Sequence, residues 1–275
     1  MREMKVLFPV LALCLFAPAS VLNDPASPCQ VRVGMETGFI GVLANEIQFG
    51  RTGTMFDYVK EGGQDNLYPF RRMTAELSVR NRHSIVFLAQ PLDLRTTALL
   101  LRDAVVDSLT FLAGTPMDLR YGFDFYRLSY LFDLLPGTNK ELSVGASFQI
   151  RNATITFASQ DGRLFRRVAN IGPVPVLKVR AQWPIRGRSW LGAEIDGFYA
   201  TDRFFNGANF KFEGSILDAS VRCGLKLNES LAGFINWRFL GGGAKGQGSD
   251  PPGPSDGYTD NALGTTSVTL GFYLE

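Results

Sequence analysis

The chain has 275 residues, and its 28 lysines and arginines nearly balance its 26 aspartates and glutamates, leaving a formal net charge of +2. This balance gives no extended basic or acidic surface, which argues against nucleic acid as a partner. Three cysteines are too few for the disulfide framework of a small secreted protein. No linker divides the chain, so we expect one folded domain.

The N-terminus has the pattern of a secretory signal peptide. Arg2 and Lys5 precede an apolar run from Val6 to Phe16, and Ala17-Pro18-Ala19 follows it. A basic start, an apolar stretch of about seven to fifteen residues and a cleavage site between small residues are typical of exported proteins. We therefore predict a signal peptide at 1–19, a short periplasmic segment at 20–29 and the folded domain at 30–275.

Beyond this region, apolar and polar residues alternate with the period of two that indicates β-strands. The third predicted strand ends or bulges at Pro91, and the alternation of the fourth slips near Phe125, where we predict a β-bulge. In chain order the ten predicted strands are Val31–Phe39, Arg72–Arg80, His83 to about Pro91, Met117–Phe132, Leu142–Arg151, Leu177–Trp183, Leu191–Tyr199, Ile216–Leu227, Leu231–Phe239 and Thr265–Leu274.

Strand length and connection length both favour a barrel that spans a membrane. Each half of the hairpin Ile216–Phe239 reaches the roughly nine to eleven residues that a tilted strand needs to cross a bilayer. The connections alternate between short turns and long loops, as in outer-membrane barrels. The short ones are 80–82, 134–140, 184–189 and 228–230, and the long ones are 42–69, 95–116, 160–173, 202–214 and 241–264. A secreted sandwich or lipocalin-like barrel is the alternative.

The end of the chain resembles the C-terminal assembly signal of outer-membrane barrels. Thr269, Gly271, Phe272 and Leu274 match a polar residue, a glycine and alternating apolar residues, whereas Glu275 departs from the usual aromatic ending. The mature chain as a whole resembles a small bacterial outer-membrane β-barrel protein. This resemblance implies a closed all-β antiparallel transmembrane barrel with periplasmic turns and extracellular loops. Its implied partners are outer-membrane lipid and the barrel-assembly machinery, and we expect a monomer.

In a membrane barrel the apolar faces contact lipid and the charged faces line the lumen. Because buried charges are costly unless they are paired, mixed signs predict a lumen filled by ion pairs. A ten-stranded barrel is close to the size that side chains fill completely, so a wide porin is excluded. The predicted lumen charges are Arg32, Glu36, Arg72, Glu76, Arg80, Asp118, Arg120, Asp124, Arg127, Arg151, Lys178, Arg180, Glu194, Asp196, Asp218, Arg222, Lys226 and Arg238.

No residue pattern points to catalysis, a cofactor or a metal. Outer-membrane enzymes of similar size include the omptin proteases, which use an Asp and His pair near the extracellular rim, and the lipid A deacylases, which use a His, Ser and acid set. His83, the one histidine, is predicted at a periplasmic turn, and Ser84 should point to the opposite face of the strand. The glycine-rich stretch Gly241–Gly246 lacks the order of a phosphate-binding loop, and we predict a surface loop there.

The first long loop is rich in aromatic residues, including Phe49, Phe56, Tyr58, Tyr68 and Phe70. It is predicted to be buried under other loops. The alternative is that it folds over the barrel mouth or into the lumen, where it would offer a ligand contact surface. From all these features we expect a structural or surface-interaction protein, with a possible extracellular ligand at the loops. The alternatives are a small-solute channel with a slightly cationic constriction and a barrel hydrolase acting on lipid or peptide.

Overall fold

The computed structural model describes residues 29–202, 212–247 and 256–275. The predicted signal peptide at 1–19 and all but the last residue of the predicted periplasmic segment lie outside these residues. In the described parts of the chain no helix is long and apolar enough to cross a membrane. The same parts form fourteen β-strands, and most of these belong to one antiparallel sheet.

The strands are numbered in chain order. They are β1 (Cys29–Phe49), β2 (Phe56–Asp57), β3 (Leu67–Val79), β4 (His83–Gln90), β5 (Asp93–Leu99), β6 (Ala104–Val106), β7 (Leu109–Phe111), β8 (Pro116–Asp133), β9 (Glu141–Ser159), β10 (Phe165–Pro184), β11 (Ser189–Thr201), β12 (Phe212–Lys226), β13 (Leu231–Gln247) and β14 (Tyr258–Leu274).

The large sheet closes into a barrel because β14 pairs with β1 along nearly its whole length. The strands β4 and β5 follow each other along β8 in one register and are interrupted at Pro91 and Leu92, so together they form one wall strand. Counted this way, the described residues form the ten-stranded closed barrel that the sequence predicts. The short strand β2 pairs with β1 at the extracellular end, where β6 and β7 form a separate hairpin.

The outer face of the barrel is apolar, as expected for a transmembrane barrel. Leu270 and Ile235 are 59% and 55% exposed, while the intervening inward residues Thr269 and Asn236 are almost fully buried. Soluble proteins rarely expose a continuous apolar surface of this extent. The exposed apolar side chains therefore form the belt that contacts lipid hydrocarbon, and polar side chains fill the lumen.

The predicted short turns are confirmed, whereas the predicted long loops are partly strand. β1 continues to Phe49, β10 already begins at Phe165, and β13 continues to Gln247. The glycine-rich stretch Gly241–Gly246 is thus not a surface loop but part of β13, paired with both β12 and β14. The barrel wall therefore extends past the membrane belt on the extracellular side.

The bulge predicted near Phe125 is absent from the described register of β8. From Met117 to Asp133 every residue of β8 pairs with β9 without a shift. The odd-numbered residues point inward throughout, but the inward face changes from polar Arg127 and Ser129 to apolar Met117 and Tyr121. The apparent phase slip in the sequence is a change in the polarity of the lumen. Among the described residues, the wall has one register shift, between Val42 and Ala44 of β1.

The orientation of the barrel predicts which turns an antibody reaches. Gly162 lies in an extracellular turn and Gly137 in a periplasmic turn, and an added Cβ would meet no heavy atom within 4 Å at either position. We expect an epitope tag inserted after Gly162 to be labelled on intact cells. The matched insertion after Gly137 should be labelled only after the outer membrane is opened, and the opposite pattern would invert the barrel.

The lipid belt predicts a depth-dependent cost for a charge. Leu270→Arg should lower the free energy of unfolding in bilayers by about 2–4 kcal/mol, because the arginine would sit in hydrocarbon. Ala262→Arg, on the same strand and face but on the extracellular extension, should cost about 0–1 kcal/mol. Denaturant unfolding in lipid vesicles measures both, and equal costs would contradict the assignment of the belt.

Candidate functional site

The lumen is the one interior space that the fold provides, and it is filled in layers. At the periplasmic end lies an aromatic cluster of Trp190, Phe234 and Tyr273, in which the Phe234 and Tyr273 rings stack with centroids 4.5 Å apart. Arg32 covers Tyr273, with its guanidinium carbon 4.8 Å from the ring centroid. Three groups of ion pairs follow toward the extracellular side.

The group nearest the periplasm is centred on Glu76 of β3. Arg180 binds this carboxylate with two nitrogens, at 2.7 and 2.9 Å, and Arg32 binds it at 2.7 Å. Arg180 also donates a hydrogen bond of 2.6 Å to Glu141. Two-pronged arginine–carboxylate contacts are among the strongest charge-assisted hydrogen bonds. They join β1, β3, β9 and β10 across the lumen.

The middle group is centred on Glu194 of β11. Lys178 Nζ lies 2.6 Å from Glu194 and 2.9 Å from Asp196. Arg72 and Arg222 each approach Glu194 at 3.3 Å from opposite walls. This single carboxylate thus neutralises cations from β3, β10 and β12.

Beside it, Glu36 of β1 is held mainly by neutral donors. Asn236 and Thr269 donate hydrogen bonds of 2.7 and 2.9 Å to the same carboxylate oxygen of Glu36. Arg222 lies 3.7 Å from the other oxygen. Glu36 therefore joins the middle group to β13 and β14, next to the seam where the barrel closes.

The outermost group contains Arg127 and Arg238, which are among the largest fully buried side chains of the protein. Arg238 binds Asp218 with two nitrogens, both at 2.5 Å, and also donates to Gln90. Arg127 bridges Asp196 at 2.9 Å and Asp218 at 3.0 Å. This outermost group thus joins side chains from five strands of the wall.

The structure brings together most of the predicted lumen charges. Those that lie in the three groups are Arg32, Glu36, Arg72, Glu76, Arg127, Lys178, Arg180, Glu194, Asp196, Asp218, Arg222 and Arg238. Glu141, which begins β9, was not among the predicted lumen charges, because it lies between the predicted turn at 134–140 and the predicted strand Leu142–Arg151. Glu141 lies two residues before inward Ser143. Extending the alternation of the predicted strand by one residue would therefore have placed Glu141 on the inward face.

The remaining predicted lumen charges lie elsewhere. Asp118, Arg120 and Asp124 are on the outward face of β8, because the strand keeps one register and its odd-numbered residues point inward. There Arg120 pairs with Asp93 at 2.7 Å. Arg80 lies in the periplasmic turn with a φ of 53°.

Two further predicted residues, Lys226 and Arg151, lie outside the three groups. Lys226 is 55% exposed at the periplasmic rim, where it lies 3.7 Å from Glu275. Arg151 points inward but contacts none of the three groups, and the described residues offer it no ion pair within 4 Å. Arg151 instead lines the cavity described below.

The extracellular third of the lumen is closed by an apolar plug. Phe56 and Tyr58, from the first long loop, pack edge-to-face on each other with centroids 5.1 Å apart. Phe157 of β9 and Tyr121 of β8 complete the cluster, at 5.2 Å from Phe56 and 5.8 Å from Tyr58. The loop aromatics are therefore buried inside the barrel mouth, against its wall, rather than displayed as a ligand surface.

Polar contacts fix the plug in place. Asn45 Nδ2 donates a hydrogen bond of 2.7 Å to Gln64 Oε1, and the Tyr58 amide donates to the Asn45 carbonyl at 2.8 Å. Burial raises the pKa of Tyr58 well above its usual value, so the phenol stays neutral. Above the plug, the hydrogen bonds from Arg102 to Glu61, at 2.8 and 2.9 Å, raise the pKa of Arg102.

His83 has none of the neighbours of a catalytic histidine among the described residues. It lies at the periplasmic end of β4 and faces outward, with Nδ1 2.7 Å from the Tyr130 hydroxyl. Ser84 points inward and shares a hydrogen bond of 3.1 Å with Ser78. Since adjacent side chains of a strand point to opposite faces, the two cannot exchange a proton directly.

A cavity of about 490 Å³ lies between the outermost ion-pair group and the plug. Its inner wall includes Gln149, which accepts hydrogen bonds from Arg127 at 2.7 and 2.9 Å, and Tyr121 of the plug. On the opposite side it is lined by β10 and β11 residues, among them Gly172 and Phe198. The described part of the lining is mainly apolar, and Arg151 is the one charged residue within it.

Comparisons with known proteins support the fold. The OmpT outer-membrane protease of Escherichia coli is 9% identical and aligns over 89% of this chain and 96% of its own, with a TM-score of 0.53. The transport unit of the E. coli autotransporter AIDA-I (10% identity, 97% and 95% coverage) and a Pseudomonas aeruginosa FadL homologue (11%, 94% and 93%) have TM-scores of 0.38 and 0.36. No protein-family model and no curated protein matches the chain.

Of these three, the OmpT structure alone exceeds a TM-score of 0.5, and at 9% identity it bears on the fold and not on the activity. The closed antiparallel barrel, its apolar outer belt and its short turns on one side agree with that fold. The chain is therefore a transmembrane β-barrel of the bacterial outer-membrane type.

The outermost ion-pair group predicts a large effect of one isosteric substitution. Asp218→Asn should destabilise the barrel by about 3–5 kcal/mol, because Arg127 and Arg238 would both lose a buried counter-charge. Adding Arg127→Met should recover part of this loss by removing one uncompensated cation. Unfolding in vesicles measures both variants; a cost below 1 kcal/mol for Asp218→Asn would contradict the network as described.

Proposed function

We propose that the protein is a closed outer-membrane barrel with a structural or surface-interaction role, and that it does not carry solutes through its lumen. The observation that carries this proposal is that side chains obstruct the lumen on both sides of its cavity. The three ion-pair groups and an aromatic cluster lie on the periplasmic side of the cavity, and the apolar plug lies on the extracellular side. A barrel of about eight strands has an interior that side chains fill, and ten strands enclose little more.

The charge arrangement supports the same conclusion. A conducting pore needs charged groups that face water and bind ions weakly enough to release them. Here Arg127, Glu194 and Asp218 are almost completely buried, and each bonds to partners from other strands. Moving any of them aside would leave an unpaired charge in the barrel interior, which costs several kcal/mol.

A role at the cell surface is supported by the extracellular cap. Leu101 and Leu112 are 76% and 61% exposed beside the β6–β7 hairpin, above the plug. The Gly114 amide bonds to the Leu100 carbonyl at 2.8 Å, which holds the two flanking segments together. Exposed apolar residues on an otherwise ordered cap are typical of interaction surfaces.

Conductance in planar lipid bilayers tests the proposal. We expect the purified wild-type barrel to insert without current steps, while a general porin studied in parallel gives open-channel steps. Discrete steps from the wild-type protein would contradict a closed lumen and favour the small-solute channel. The inserted protein should be recovered from the bilayer and shown to resist SDS unfolding at room temperature. This control shows that an absence of current steps comes from a folded barrel.

A hydrolytic role is the remaining alternative, and we propose that the protein has none. His83 is the one histidine of the chain, and its side chain faces outward at the periplasmic end. If peptide or lipid hydrolysis is found with the purified barrel, it should be unchanged in His83→Ala. Loss of such an activity in that variant would favour the enzyme instead.

A further inference from the structure

The wall of the barrel is incomplete between β10 and β11. Among the described residues, the ladder between these strands runs from the pair Pro184–Trp190 to the pair Leu177–Gly197 and ends there. β10 nevertheless continues to Phe165, fully paired with β9 on its other edge. Between 172–176 of β10 and 198–202, all of them described residues, the wall therefore has a gap in its ladder.

The sequence of β10 explains why the ladder stops. Pro173 and Pro175 come directly beyond its last pair, and proline has no N–H to donate. Both positions are odd-numbered, so both missing N–H groups belong to the same edge of the strand. Since pairing with β9 is continuous across both prolines, that edge is the one facing β11.

The cavity of about 490 Å³ opens at this gap. Its lining combines outward-facing residues of β10, Ile171 and Pro173, with inward-facing Gly172 and Arg151. A single space thus connects the outer surface of the wall with the lumen. This volume falls within the range of about 300–1,000 Å³ that small-molecule sites occupy.

The mouth of the cavity faces hydrocarbon rather than water. The outward-facing residues of β10 at this level are Ile171, Pro173, Pro175 and Leu177, and all are apolar and exposed. The first outward charge on this strand is Arg167, farther toward the extracellular side. An apolar chain in the outer leaflet could therefore enter sideways without crossing a polar layer.

Gln149 Nε2, on the lining of the cavity, has no hydrogen-bond acceptor, and a second unsatisfied polar group on the lining belongs to Arg151. The Nε of Arg151 is buried without a hydrogen-bond acceptor, and its Nη2 donates a long hydrogen bond of 3.4 Å to Asn170 Oδ1. The described residues place no carboxylate within ion-pair distance of it. A buried guanidinium without a counter-charge is costly, and a carboxylate is the group that its planar fork matches best.

We propose that this cavity binds a single-chain amphiphile with a carboxylate head, such as a long-chain fatty acid, taken up sideways from the outer leaflet. The carboxylate lies on Arg151, and the hydrocarbon chain extends along the apolar lining toward the β10–β11 gap. The site borders Gln149 and Tyr121 but uses none of the charges of the three ion-pair groups, so it does not depend on whether the lumen conducts.

A photoreactive palmitate carrying a diazirine on its chain tests the proposal with the wild-type barrel in lipid nanodiscs. We expect saturable crosslinking to β10 and β11 residues that line the cavity, such as Val174 and Phe198. Unlabelled palmitate should compete, and palmitate methyl ester should compete at least tenfold more weakly because it lacks the charge. Crosslinks spread evenly around the lipid belt, or equal competition by the ester, would overturn the site.

Two variants test the head-group and chain contacts separately. Arg151→Gln should weaken palmitate binding at least tenfold, whereas Arg151→Lys, which keeps the charge, should retain most of it. Gly172→Leu should abolish crosslinking by filling the cavity, because a Cβ at Gly172 would meet only ordinary contacts, at 3.7 Å from Arg151 Nε and Asn170 Oδ1.

The matched control is Gly233→Leu, which adds the same side chain to the outward face of β13, where a Cβ also meets ordinary contacts of 3.7 Å. This variant should bind palmitate as the wild type does. SDS resistance at room temperature confirms that each variant is folded. Unchanged binding by folded Gly172→Leu, or equal losses in Gly172→Leu and Gly233→Leu, would overturn the proposal even if Arg151→Gln fails to fold.

Discussion

The structure depends on the neutralisation of charge inside a narrow barrel. Arginines and one lysine project inward from most of the wall, and each of those in the three groups meets a carboxylate from another strand. Because an unpaired charge in this interior would cost several kcal/mol, the pairs determine which strands can be neighbours and in which register. The same ion pairs occupy the lumen, so they both stabilise the barrel and obstruct its interior.

The extracellular third of the lumen is filled by apolar side chains instead of ion pairs. There the wall extends past the lipid belt, and its inward residues become aromatic and aliphatic, so the first long loop packs into the mouth as a plug. The charged and the apolar parts of the lumen meet at the level where the described ladder between β10 and β11 ends. Arg151 lies at this boundary, with a polar network on one side and an apolar cavity on the other. The proposed ligand site thus lies between the outermost ion-pair group and the apolar plug.

The lipid-facing belt and the filled lumen together limit what the protein can do. Within the described residues, ion-pair groups and the apolar plug obstruct the lumen, and His83 faces outward at the periplasmic end. What remains accessible is the extracellular cap, where Leu101 and Leu112 are exposed, and the side opening toward the outer leaflet. A surface role and lateral uptake of an amphiphile use different parts of the molecule and can coexist.

The sequence by itself determined the barrel, because a period of two is local: Val221 and Arg222 must point to opposite faces whatever their partners are. It also determined the strand number and the short turns, which length and turn residues set locally. Only the tertiary structure decided which charges face the lumen on β8. A change in the polarity of the interior and a shift in phase give the same local pattern, and pairing with β9 alone distinguishes them. The gap at Pro173 and Pro175 was likewise beyond the sequence, because it depends on which edge of β10 meets which neighbour.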